Sequence, residues 1–359
     1  LGNANQHLMK PHLLLLYVLL LISAGQAMAQ TIRRCNNTPG ITGPNIYSTI
    51  QAAHDAAANG DIIYMEASGT NYGPLVCAKR LIIYGRGYYL STNPNGNDSQ
   101  IDAEIGNVTF NNGSNNTLLS GMDVQGSITF GTSVSGITVE RSYVERGILF
   151  NSTCNGAASL FANSCTIKQC FIKARGIRGS CGVPENNANR ITIQNCILHT
   201  SFETCSICDE FSHFSQLNNA LISNNIASSA FRVVNSTITN CLFDGGVSQT
   251  TASTFSYCFS KGANALPTGN GNRNGVDFRD LFTSNAANPN TPDTNYQLAT
   301  GSPARGAGLN GTDVGPFGGP NPYVLSGQPP IPIITNLVSP PSANNNAPLN
   351  VRISVRSNN

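Results

Sequence analysis

From about residue 105 onward, apolar and polar positions recur in short blocks rather than along a helical face. Laying Leu118–Phe130 over Thr138–Phe150 at an offset of 20 places Val124 on Val144, Ile128 on Ile148 and Phe130 on Phe150. Later copies start at Thr166, Thr192, Leu221, Thr237 and Thr254, each reading as strand, Asn-type turn, strand. A period near one coil is the signature of a solenoid, whose coils cannot bury an apolar face alone and must stack.

Stacking puts equivalent residues above one another. Asn195, Asn224 and Asn240 form one column, where Asn tolerates a left-handed backbone and its amide can bond to the next copy, which predicts an asparagine ladder. The next column runs Ser142, Cys170, Cys196, Asn225, Cys241, Cys258 and predicts buried free thiols, since stacked neighbours in a parallel sheet rarely offer disulfide geometry. Apolar doublets follow: Tyr143-Val144, Phe171-Ile172, Ile197-Leu198, Ile226-Ala227 and Leu242-Phe243, with Phe259 in the same place. Adjacent strand residues point to opposite faces. Tyr143, Phe171, Ile197, Ile226, Leu242 and Phe259 therefore predict an outward apolar stripe, which a bulge could turn inward or a partner could cover.

Before the repeats, Ser48-Thr-Ile-Gln51 reads as a capping box, with Ile50, Ala53, Ala57 and Ala58 on one face of a short helix stopped at Asn59-Gly60. After Phe317-Gly-Gly-Pro320 the chain becomes Pro-rich and then offers Ile331–Val338 and Leu349–Arg356. In the last segment Leu349, Val351, Ile353 and Val355 alternate strictly with polar residues including Arg352 and Arg356. That is a half-buried strand in need of a partner: its own solenoid, whose stripe it would cover, or another molecule by strand addition.

Three stretches resemble the secreted bacterial pectin-lyase-like proteins: Tyr47–Tyr64 as a capping helix and first strand, Lys79–Gly87 as a second coil, and Tyr296–Gly308 with Asp313–Gly318 as a closing segment. The resemblance covers about residues 45–318 and implies an all-β, right-handed parallel β-helix with a short N-terminal capping helix and a Pro-rich C-terminal β tail. It implies no single activity, because such proteins include polysaccharide lyases, glycoside hydrolases and adhesins. Lyases of this kind use a Lys or Arg base, often with Ca²⁺ held by clustered acids, and no such set matches here residue by residue.

The N-terminal stretch reads as a secretory signal peptide: Lys10, the apolar run Leu13–Ile22 and small residues at Ala27-Met28-Ala29. Domains are expected as a signal peptide over 1–29 (residues 1–8 as an upstream artefact), the β-helix with its cap over 30–318, and the tail over 319–359. No later run is long enough to span a membrane. Charged residues are 11% of the 359 and nearly balanced at net +2, which argues against a nucleic-acid partner. With 35 Gly and no Trp, the composition is that of turn-rich β structure. An odd count of 11 Cys leaves at least one thiol unpaired. Cys35 with Cys77, and Cys154 with Cys165 or Cys181, are candidate bridges in an exported chain.

Candidate chemistry concentrates on residues 199–213. His199, Cys205, Cys208 and His213 could hold Zn²⁺, though the spacing fits no standard motif. Glu203, Asp209 and Glu210 with the two histidines could form an acid/base site. Lys168, Lys173, Arg175, Arg178 and Arg190 lie on neighbouring coils and could meet an acidic polysaccharide, with Lys168 and Arg175 as candidate bases and Lys173, Arg178 and Arg190 as glycan contacts. The alternative to the zinc site is a local disulfide or two packed thiols at Cys205 and Cys208, and for the other charges a solvated surface. No cofactor is predicted, and Ca²⁺ and Zn²⁺ stay open. The expectation is a secreted, extracellular or cell-surface protein with a structural, adhesive or self-assembling role, through self-association or another surface protein. A polysaccharide lyase, a glycoside hydrolase or a passive glycan binder is the alternative.

Overall fold

The computed structural model describes residues 30–92, 100–151, 161–179, 188–199, 214–227, 230–248, 250–283, 293–340 and 348–357. Three parallel sheets stack their strands in the order of the coils, which makes the chain an all-β parallel β-helix. Among the described residues, sheet one has 11 strands, from Ile32–Cys35 and Ile46–Tyr47 at one end to Thr254–Ser256 at the other, sheet two has 8 short strands, Glu104–Ile105 through Phe259–Ser260, and sheet three has 8, Leu75–Cys77 through Val247–Ser248. The offset of 20 expected from the repeats is the observed register: Ile128 pairs with Ile148, Phe130 with Phe150 and Val124 with Val144. Where copies shorten, Ile222, Ile238 and Phe255 stay in one column.

Each coil buries alternate residues. Sheet one turns in Ile83, Leu119, Val139, Ile167, Ile193, Ile222 and Ile238, all fully buried. Sheet three turns in Phe110, Phe130 and Phe150, whose ring centroids lie 5.2 and 4.5 Å apart. The cysteine column lines the same interior: Cys170, Cys196, Cys241 and Cys258 are buried free thiols. Each donates to the carbonyl two residues back, as Cys170 Sγ does to Lys168 O at 3.2 Å. Ser142 makes the same bond in its own copy, to Glu140 O at 2.8 Å.

The helix Ile50–Ala56 closes the N-terminal mouth with Ile50 and Ala53 inward. Its cap is Thr49 rather than Ser48, because Thr49 Oγ1 accepts from Ala52 N at 3.2 Å. Gln51 is not part of a capping box; its Oε1 instead accepts from Val76 N at 2.7 Å, tying the helix to sheet three. Lys79 Nζ donates to the carbonyls of His54, Asp55 and Ala57 at 2.8–2.9 Å and so serves the helix's C-terminal end, where His54 O also accepts from Ala57 N at 3.0 Å. Cys35 and Cys77 do not form the expected bridge: both are free and buried, on sheets one and three. Cys165 is also a free buried thiol, while Cys154 and Cys181 lie outside the described residues. Among the described residues no helix is long and apolar enough to cross a membrane.

Candidate functional site

Sheet two carries the unusual surface. Its outward column, read through the strand register, runs Glu104, Asp123, Tyr143, Phe171, Ile197, Ile226, Leu242, Phe259. Two-residue strands leave no room for a bulge, so one member of each doublet must face out. The outward members nevertheless form a second buried core with Leu281, Phe282, Tyr296, Leu298, Ala304, Val314 and Tyr323. The cover thus comes from the same chain, from residues 276–283 and 293–325, and not from the two tail strands. Tyr143, Phe171, Ile197, Ile226, Leu242 and Phe259, nominated for assembly, are spent on this intramolecular contact.

The same segment zips onto the turns between sheets one and two. Asn195, Asn224 and Asn240 all have positive φ, of 53°, 56° and 56°, as the column predicts. Their amides do not form a ladder with one another. Asn195 Nδ2 donates to Pro316 O at 2.8 Å and Gly318 O at 2.7 Å, Asn224 Nδ2 to Asp313 O at 3.4 Å, and Asn240 Oδ1 accepts from Leu309 N at 2.8 Å. Gln169 and Arg141 continue the column with Nε2 to Pro322 O at 2.6 Å and Nη1 to Gln328 O at 3.1 Å. The strap therefore runs back along the helix from the coil of Asn240 towards that of Arg141. Gly327 (φ 53°) is required at its end, since a Cβ there would stand 2.2 Å from Arg141 O. A boundary at 318–319 would cut this strap in its middle.

A buried polar network pins the strap's far end. Asp293 Oδ2 accepts from Ser326 N at 2.7 Å and from Tyr323 Oη at 3.1 Å, and Tyr323 Oη bonds to Tyr88 Oη. Burial, then the charge of Asp293, pushes both phenols above their ordinary range. Beside it, Asp123 is pushed up to about 7 by burial and then by Asp102 and Glu104, with Gln125 opposing through a 2.7 Å hydrogen bond. Tyr89 covers this end, packing edge-on against Tyr143 and Phe171. The sequence offered one signal for it: Asp123 falls on Tyr143 in the 20-residue alignment, a carboxylate where every later copy is apolar.

The nominated charges are not gathered. Residues 168–178 pass from sheet one through sheet two to sheet three, so they spread around the perimeter rather than form a patch. Lys168 sits on sheet one, 2.8 Å from Glu140 Oε2; Lys173 follows sheet two, 2.8 Å from Glu145 Oε1; Arg178 is on sheet three; Arg175 and Arg190 are exposed turn residues with positive φ. His199 is buried, its Nδ1 bonded to Tyr296 Oη, its ring 6.2 Å from that of Phe171, and burial followed by Lys173 lowers its pKa. In that place it positions the strap. Glu203, Cys205, Cys208, Asp209, Glu210 and His213 lie outside the described residues. Among the described residues no three His, Cys, Asp or Glu side chains are placed to hold one metal ion.

The tail forms a separate feature. Ile333–Val338 and Arg352–Arg356 pair antiparallel with each other, Ile334 opposite Val355 and Leu337 opposite Ile353. Leu349, Val351, Ile353 and Val355 are exposed, and so are Ile334 and Leu337. No known protein family matches the chain, and no curated protein matches it either.

Proposed function

We propose that this chain is a secreted or cell-surface β-helix with a structural, adhesive or self-assembling role, presenting its C-terminal hairpin as the attachment element. The observation that carries this reading is the hairpin itself, which holds its apolar residues in the open at the end of the strap. Exposed apolar patches of this kind mark interaction sites. The pectin-lyase-like resemblance and the signal-peptide pattern support an exported β-helix. The nominated charges support the same reading through their partners, since Lys168, Lys173 and His199 each hold the coil or the strap.

The test compares residues 30–359 with a chain ended after Ile331, which leaves the strap whole. Retention on a cell or polysaccharide surface is expected for the first and lost in the second, with no depolymerisation by either in a polysaccharide panel. Equal retention by both, or depolymerisation, would overturn the reading.

A second reading, a carbohydrate-active enzyme, is favoured by Asp123. A carboxyl titrating near 7 beside Glu104 has the profile of a general acid. Depolymerising activity abolished by Asp123→Asn would establish it.

A further inference from the structure

We infer that the C-terminal hairpin docks a second copy of this chain, face to face, closing a two-fold pair rather than a filament. The inference rests on the attachment role above and names its partner. The hairpin's two faces differ sharply. Ile334, Leu337, Ile353 and Val355 are cross-strand pairs on one side, extended by Val351 and Leu349, and their exposure runs from 44% for Ile334 to 59% for Val355. Arg352, Ser354, Arg356 and Asn336 lie on the other side with one exposed aliphatic, Val338 opposite Arg352, and Arg356 Nη2 reaches Gln328 Oε1 at 3.4 Å from there. The tie to the body is therefore made by the polar face, leaving the apolar one outward.

A two-stranded hairpin is marginal in water until a second layer covers its apolar face. Within the described residues that layer is not the β-helix, whose own outward stripe is filled by the strap. Of the other exposed large hydrophobics, Val338 stands alone opposite Arg352 on the hairpin's polar side, and Ile32, Ile41, Val76, Ile101, Leu221 and Leu309 come from separate coils and loops. The surface that matches the hairpin is the hairpin. A patch that pairs with itself is isologous and closes after two copies, whereas a filament needs two different complementary surfaces.

Charge and area agree. Face-to-face packing leaves the arginines on the outside of both copies and puts no charge in the seam. Six half-exposed aliphatic residues per copy bury roughly 1,000 Å² over the pair, the threshold of a specific though weak interface. Edge-to-edge extension of the hairpin would leave the same apolar face open.

The experiment is sedimentation equilibrium from about 1 to 100 µM, the range in which weak specific interfaces assemble. It compares the full chain, the double variant Ile353→Lys with Val355→Lys, a chain ended after Ile331, and Ser354→Lys on the polar face. The full chain and Ser354→Lys are expected to reach twice the monomer mass. The double variant and the shortened chain are expected to stay monomeric, with at least about tenfold weaker association and unchanged far-ultraviolet circular dichroism. A monomeric full chain at the highest concentration, species that grow beyond two, or a pair that survives the double variant would each overturn the inference. A monomer that still needs its hairpin for surface retention would remove the second copy as partner while leaving the attachment role standing.

Discussion

Arg141 Nη1 donates to the carbonyl of Gln328 at 3.1 Å across 187 positions of sequence. That contact ends a series in which five consecutive turns of the solenoid, at Asn240, Asn224, Asn195, Gln169 and Arg141, each hold the backbone of one returning segment. The side chains differ in length and charge but share a left-handed backbone that aims them outward. The strap in turn buries the stripe of sheet two, so the chain has two apolar cores, one inside the coils and one beneath the strap.

Asn195 is the turn residue with the most to lose. Asn195→Ala removes two strap hydrogen bonds and places Ala where φ is 53°. At about 1 kcal/mol per bond, plus about 1 kcal/mol for the left-handed backbone, chemical denaturation should show a loss of about 2–3 kcal/mol. Asn195→Gly removes the bonds without the backbone cost and should lose about 1 kcal/mol less.

Removing the far half of the strap should uncover part of the stripe, since Val314, Phe317 and Tyr323 go while Leu281, Phe282, Tyr296 and Leu298 stay. A chain ended after Gly308 lacks the segment that bonds Asn224, Asn195 and Gln169. It should bind a hydrophobic dye and aggregate, while a chain ended after Ile331 should do neither. Phe171→Ala in the full chain, at a side chain packed between Tyr143 and His199, should cost about 3–5 kcal/mol in denaturant.

Asp123 gives stability a pH dependence of unusual sign. Its folded pKa of about 7 lies above the ordinary 3.8, so the folded state holds a proton that the unfolded state has lost between those values. Stability is then greatest at or below the lower value and falls as pH rises towards 7, by an amount on the order of a few kcal/mol. Asp123→Asn should flatten that slope and raise the melting temperature at pH 8 relative to the parent chain. A parent whose stability rises between pH 4 and 7, with Asp123→Asn unchanged, would contradict this account.

What the sequence revealed follows from what repeats. The 20-residue offset, the Asn column and the cysteine column are stacked copies, so each position is reported several times over. The strap is used once, and it binds through the carbonyls of Pro316, Gly318, Pro322 and Gln328, groups that every residue possesses and that leave no trace in residue type. The outward stripe is legible for the same reason as the core, whereas its cover is not, because the tail's alternation leaves a pattern in the sequence and an irregular strap does not. The charges from Lys168 to Arg178 looked clustered because sequence distance within one coil is distance around a perimeter. Asp123 stood in the aligned column, but a single departure from a repeat carries little weight until its neighbours Glu104 and Asp102 are seen beside it.

The helix that closes the N-terminal mouth depends on one cation. Lys79 Nζ reaches three carbonyls at 2.8–2.9 Å, supplying donors to a seven-residue helix too short to be stable alone. Lys79→Met keeps the aliphatic stem and removes the ammonium, so it isolates the capping contribution from packing. The expected loss is about 1.5–3 kcal/mol, the scale of hydrogen bonds to a charged group after exchange with water. Because Ile50 and Ala53 seal the first coils, hydrogen exchange should rise at Ile63 and Ile83 but not at Ile193 or Ile222. Uniformly faster exchange along the solenoid would instead mean that the cap governs folding of the whole chain.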